Sequence, residues 1–195
     1  VATTLALAAE PRHGQVVPPQ VPAKLEVEPG HEAFVVGHAM GTQNYVCLPS
    51  GSGFAWSLFT PEATLFDDHH RPIITHYFGP NPFESGAIRA AWQHSRDAST
   101  VWGRVVQSSS DPQFVEAGAI PWLLVRVKDV GARPGPTGGR ALADTTFIQR
   151  VNTHGGAAPG SGCGRPSDVG RRAFVPYSAD YLFYEQTTRD GRPES

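Results

Sequence analysis

"FVPYSADYLFYEQ", residues 174–186, is the stretch whose reading decides the fold. Val175, Tyr177, Ala179, Tyr181 and Phe183 fall on one side of an extended chain, and Phe174, Ser178, Asp180 and Tyr184 on the other. A period of two is the signature of a strand packed on one face, and aromatic residues suit a pleated, half-buried surface. The same texture runs upstream. "EAFVVGHAMG", "NYVCL", "FAWSLFTPEATLF" (broken at Thr60-Pro61), "IITHYF", "AIRAAWQH", "STVWGRVV", "IPWLLVRVKDV" and "TTFIQRV" are rich in Val, Ile, Thr and aromatics. Between them lie "LPSGSG", "GPNPFESG", "HSRDAS", "SSSDPQ", "GARPGPTGG", "GGAAPGSGCG" and "RPSDVG", each with the Gly, Pro, Asp or Asn that turns require. This spacing predicts an all-β domain, an antiparallel β-sandwich or barrel of roughly nine strands with little helix. Strand order is not legible.

Composition agrees. The 195-residue chain has 21 Gly and 18 Pro, and each in a helix interior is unfavourable by about 1 to 3 kcal/mol relative to Ala. That length suits one domain with a real core. Net charge is −2 with no Lys/Arg cluster, so the phosphate contacts of a nucleic-acid partner are not expected. No run of apolar residues is long enough for a transmembrane helix.

The opening "VATTLALAAE" is small and apolar, with Ala6-Leu7-Ala8 in the small-x-small form that signal peptidase accepts. Residues 1–9 are expected to be a signal-peptide remnant, a plain frayed terminus being the alternative. Residues 10–23, with "VVPPQVP", read as a Pro-rich extended lead-in. Residues 24–186 form the single β domain, and 187–195 a loose polar tail. A secreted or periplasmic location follows, and in such a chain the two cysteines, Cys47 and Cys163, are expected to form a disulfide. Two unrelated thiols are the alternative, but no neighbouring His in sequence lowers either pKa.

"GTQNYVCLPSG", "HYFGPNPFESGAIRAAWQHSRDASTVWGRVV", "IQRVNTHGG" and "FVPYSADYLFYE" together resemble landmarks of domain-of-unknown-function family 3455, a family of secreted bacterial and fungal proteins. The resemblance spans nearly all of Val21 to Glu185. It implies an exported, mostly β domain and transfers no activity or catalytic residue. Some fungal members carry a malate-dehydrogenase label, which this sequence does not support. "GSGFAW" has Trp56 where a dinucleotide fingerprint needs its third glycine, "GSGCGR" has Arg165, and neither opens a helix. Nicotinamide-dependent chemistry is therefore rejected.

Eight histidines raise the question of a metal. In "DDHHRPIITH", Asp68 and His70 share a face, but His76 lies about 20 Å further along a straight strand at about 3.3 Å per residue. A divalent-metal site would need Asp68 and His70 joined by His38 and His94, or by Asp97 or His154, from elsewhere in the fold. His-Glu-x-x-His and Cys-x-x-Cys are absent, so no cofactor is predicted beyond that metal possibility. Hydrolysis has the same weakness. Gly-x-Ser-x-Gly is missing, Ser50 and Ser52 sit in a glycine loop, and a Cys163–His154 pair conflicts with the disulfide. Paired carboxylates among Glu62, Asp67, Asp68, Glu84, Asp97 and Asp180 need a separation that sequence does not give.

Binding remains. Trp92 and Trp102 flank a hairpin and are candidates to lie side by side as a stacking surface for a saccharide or cell-envelope component, burial of both in the core being the favoured alternative. The stiff loop containing Asn81, Phe83 and Glu84 is the candidate recognition loop. Arg150, on a strand face with Thr146 and Ile148, is expected to be partly buried, with Asp180 as a possible partner. The expectation is a non-catalytic extracellular binding or cell-envelope module. The alternatives are a metal-dependent or hydrolytic enzyme using the Asp67–His70 cluster, and a structural surface protein.

Overall fold

A computed structural model describes residues 16–187. The signal remnant at 1–9, the first part of the lead-in and residues 188–195 of the tail lie outside the described residues.

Among the described residues nine strands form: β1 (His31–Ser50), β2 (Gly53–Phe66), β3 (Pro72–Asn81), β4 (Ala87–His94), β5 (Thr100–Ser109), β6 (Trp122–Arg126), β7 (Ala132–Arg133), β8 (Thr145–Gly155) and β9 (Arg172–Gln186). Every pairing is antiparallel. The ring runs β1-β2-β3-β4-β5-β6-β8-β9 and closes through the long β9–β1 ladder, from His31↔Gln186 to Val46↔Arg172. The two-residue β7 pairs with the start of β5 and stands outside the ring. Of the two architectures open to the sequence, the chain adopts the closed barrel. Closure leaves the eight ring strands without a free edge.

Two predicted strands merge into one, since β1 continues through Gly41, and Thr60-Pro61 does not break β2. Pro61 is tolerated because it sits beside a bulge, where Asn44 pairs with Thr60, Tyr45 pairs with Leu58 and Phe59 is the extra residue. Gly41 is required for a different reason. A Cβ there would run into the Glu62 carbonyl and Ala63, so β1 and β2 approach this closely only over a glycine.

The alternation in β9 sorts as written. Tyr177, Ala179, Tyr181 and Phe183 enter the lumen core with Leu65, Ile74, Val101 and Ile148. Leu182 and Tyr184 face outward into a second cluster with Leu25, Trp122, Phe147 and Val151. Val16, Val21 and Val27 pack on that second cluster, so the described part of the Pro-rich segment lies along the barrel wall. Gln149 Nε2 donates to the Leu25 carbonyl at 2.6 Å and pins it there. With both faces covered, β8 is buried from Thr145 to Val151. Cys47 at the end of β1 is bonded to Cys163, anchoring the long β8–β9 connection over one end of the barrel.

Candidate functional site

The lumen is filled at one end and open at the other. Near the β2–β3 and β4–β5 turns, Leu65, Ile74, Val101, Ile148 and Phe183 are fully buried and leave no room. Toward the opposite end, under the disulfide-anchored connection, lies a cavity of about 240 Å³. Each ring strand contributes to its wall: Tyr45, Leu58, His76, Trp92, Val105, Leu123, Arg150 and Tyr181, in ring order. Ile120 and Pro121, from the segment before β6, complete it. Leu58 and Val105 are 37% and 49% exposed and mark the mouth. Ile88 extends the same β4 face beyond Ala90 and Trp92 and is 61% exposed, so the rim is apolar.

Arg150 dominates the electrostatics. It is 9% exposed, and its Nε and Nη2 both donate to the Pro121 carbonyl, at 3.2 and 2.8 Å. No carboxylate pairs with it among the described residues. A desolvated cation without a counter-ion is costly by several kcal/mol, so this position is unfavourable for stability alone. Its expected partner lies elsewhere. Asp180 pairs in register with Val151, one residue on, and so projects from the outer face.

His76 is 3% exposed and stacks on Trp92 with ring centroids 4.4 Å apart. Burial, opposed by the bond to the Ala91 carbonyl and reinforced by the Arg150 charge, brings its pKa down to about 3. The ring is therefore neutral near pH 7, with Nδ1–H donating to Ala91 at 2.9 Å. Nε2 is left as an acceptor. Trp92 Nε1 and Gln43 Nε2, on two other lining residues, are buried without a hydrogen-bond partner among the described residues. Tyr45 donates to the Gly156 carbonyl at 2.7 Å, and the Tyr177 and Tyr181 hydroxyls meet at 3.3 Å. Burial raises the pKa of Tyr45 and of Tyr177, keeping both neutral.

The other candidate residues separate into local roles. Trp92 and Trp102 are not side by side. Trp92 pairs with Val101 and Trp102 with Ala91, which puts the two indoles on opposite faces of the wall. Trp102 is 5% exposed, packed on Val130 and edge-on to Phe83. Asn81 is fully buried and caps the Pro82–Glu84 turn through Phe83 N–H, while its Nδ2 donates to Glu84 and to the Val130 carbonyl. Glu84 is held by Arg89 and Arg104, and Arg89, then Asn81, draw its carboxyl well below the usual range. The loop is thus internally satisfied, with Phe83 exposed.

Asp67 accepts from His69 N–H, Arg71 N–H and the Arg71 side chain, which fixes the β2–β3 turn. His70 occupies a left-handed position in that turn, at φ 59°. Asp68 instead reaches His38. That imidazole is bonded to Asp68 at 2.9 Å and to Asp180 at 2.7 Å, and the Asp68 bond, then the Asp180 bond, raise its pKa. His94 bonds to Asp97 in the β4–β5 turn at 3.0 Å. The fold joins Asp68 to His38 but not to His70 or His94. Among the described residues no group of three or more His, Cys, Asp or Glu is arranged to hold a metal ion.

Sequence reasoning missed Gln43 and Tyr45, and weighed His76 only as a metal donor. Alternation with Ile74 could have placed His76 on the core face, but nothing local shows that the face encloses a cavity.

Fold and site together define an eight-stranded up-and-down antiparallel barrel with a half-filled lumen and a buried arginine in the open half. The chain belongs to the family described as protein of unknown function (DUF3455), whose model matches residues 29–185. No curated protein and no solved structure matches it.

Proposed function

We propose that this protein is an exported binding barrel that holds one small, largely apolar molecule in the open half of its lumen, without chemistry. The observation that carries this reading is the cavity itself, walled by all eight ring strands and containing a buried arginine with no counter-ion among the described residues. Eight-stranded barrels either fill with side chains or enclose one small ligand, and this one does the first below and the second above. The apolar rim of Leu58, Ile88 and Val105 gives such a molecule a path out of water. Export is supported by the Cys47–Cys163 disulfide, a bond that persists in oxidising compartments. A saccharide fits less well, because Trp92 and Trp102 are buried and offer no exposed stacking platform.

The test is titration of 15N-labelled protein with 1-hexanol. Shifts should concentrate on the Trp92 indole and its wall neighbours and disappear in Ala90→Phe, which fills the cavity. Absent shifts, or shifts scattered over the outer surface, would refute the reading.

A further inference from the structure

The cavity wall is asymmetric in its polar groups. Most of it is hydrocarbon or aromatic ring, and its formal charge is a single cation. At about 30 Å³ per non-hydrogen atom, the share a water takes in the liquid, about 240 Å³ holds on the order of eight such atoms. Any ligand is therefore small, and most of it must be apolar to match the wall.

The guanidinium is already oriented. Its Nε–Nη2 side lies against the Pro121 carbonyl, which leaves the Nη1–Nη2 edge as the unoccupied fork. That edge presents two parallel N–H donors at the spacing of a carboxylate's two oxygens. A backbone carbonyl can hold a guanidinium but cannot neutralise it, so the missing element is one negative charge. His76 adds no second charge, since burial keeps it neutral. A phosphate monoester, with close to two negative charges at neutral pH, would be left under-neutralised against one arginine.

We infer that the barrel's ligand is a small monocarboxylic acid whose carboxylate pairs with the free edge of Arg150 and whose short apolar chain occupies the upper lumen. This rests on the binding reading above and names its ligand class. Arg150 then has a role that stability does not supply: it is the ligand's counter-ion, buried in advance so that little reorganisation accompanies binding. A bound alcohol or amine of equal size leaves the arginine uncompensated, and an amine adds like-charge repulsion.

The experiment is calorimetric titration of the full chain with butanoate, hexanoate and octanoate beside the matching alcohols and amines, on wild type, Arg150→Met and Arg150→Lys. Thermal unfolding without ligand is followed in parallel. For wild type at neutral pH, the best carboxylate should bind at least tenfold tighter than its alcohol, and the amine should not bind. Arg150→Met should remove that preference while the alcohol binds no more weakly than to wild type. Arg150→Lys should retain part of the preference. If Arg150→Met fails to fold, the wild-type comparison of acid, alcohol and amine still decides. Equal binding of acid and alcohol, or a preference that survives Arg150→Met, overturns the carboxylate inference and leaves the binding barrel intact. No binding by any of the series overturns both.

Discussion

His76 offers a quantitative test of the lumen's polarity. Burial brings its pKa down to about 3 in the folded barrel, against 6.5 for an imidazole in the unfolded chain. Between those values the unfolded chain holds one more proton than the folded one, so stability falls as pH falls. One proton is worth about 1.4 kcal/mol per pH unit, so His76 withdraws about 2 kcal/mol between pH 7 and pH 5. His76→Phe retains a ring against Trp92 and cannot titrate. It also strands the Ala91 carbonyl, at a cost of about 1 to 3 kcal/mol, but that cost is the same at every pH. The elevated pKa of His38 acts with opposite sign, adding stability below 6.5 that is lost as pH rises through its folded value. His38 is present in both proteins and cancels in the comparison. The assay is urea unfolding of both proteins at pH 7, 6 and 5, read as free energies. Wild type should lose about 2 kcal/mol more than the variant over that range, on the same arithmetic. Parallel pH profiles would refute the account of a buried His76 beside a cationic Arg150.

Three further outcomes follow from other parts of the fold. Cys47→Ser/Cys163→Ser opens a link across 116 residues, and the chain-entropy relation puts the loss at about 5 kcal/mol; a urea midpoint indistinguishable from wild type would contradict it. Asn81→Ala leaves the Val130 carbonyl and the Phe83 N–H without their partner and should destabilise by about 2 to 3 kcal/mol in the same assay, whereas a neutral result would mean that the loop is not held by this residue. In an NMR titration His38 should protonate above its ordinary range, and Asp68→Asn and Asp180→Asn should each lower its pKa; an unmoved titration in both variants would show that neither carboxylate holds the ring.

Strand periodicity is local, and the sequence carries it openly. Tyr177, Ala179, Tyr181 and Phe183 share a face because side chains alternate, whatever the strand pairs with. The disulfide was legible for a similar reason, since two cysteines admit one pairing. What alternation lacks is register. Trp92 and Trp102 belong to neighbouring strands, but pairing Trp92 with Val101 sends the two indoles to opposite faces, and a one-residue slip would reverse that. Arg150 and Asp180 are separated by the same single step, through the Val151↔Asp180 pair. The polar cavity wall is less legible still. Gln43, His76 and Arg150 come from distant strands, and only barrel closure through the β9–β1 ladder brings them to one space. Asn81 reads in sequence as part of a recognition loop and instead caps the Pro82–Glu84 turn, the structural use of an Asn that precedes a Pro.

The most direct measurement is a crystal structure of the protein grown with saturating hexanoate. The account expects the chain of the acid in the upper lumen between His76, Trp92 and Tyr181, with its carboxylate on the Nη1–Nη2 edge of Arg150. A cavity filled by ordered water, with hexanoate absent or on the outer wall, would contradict it.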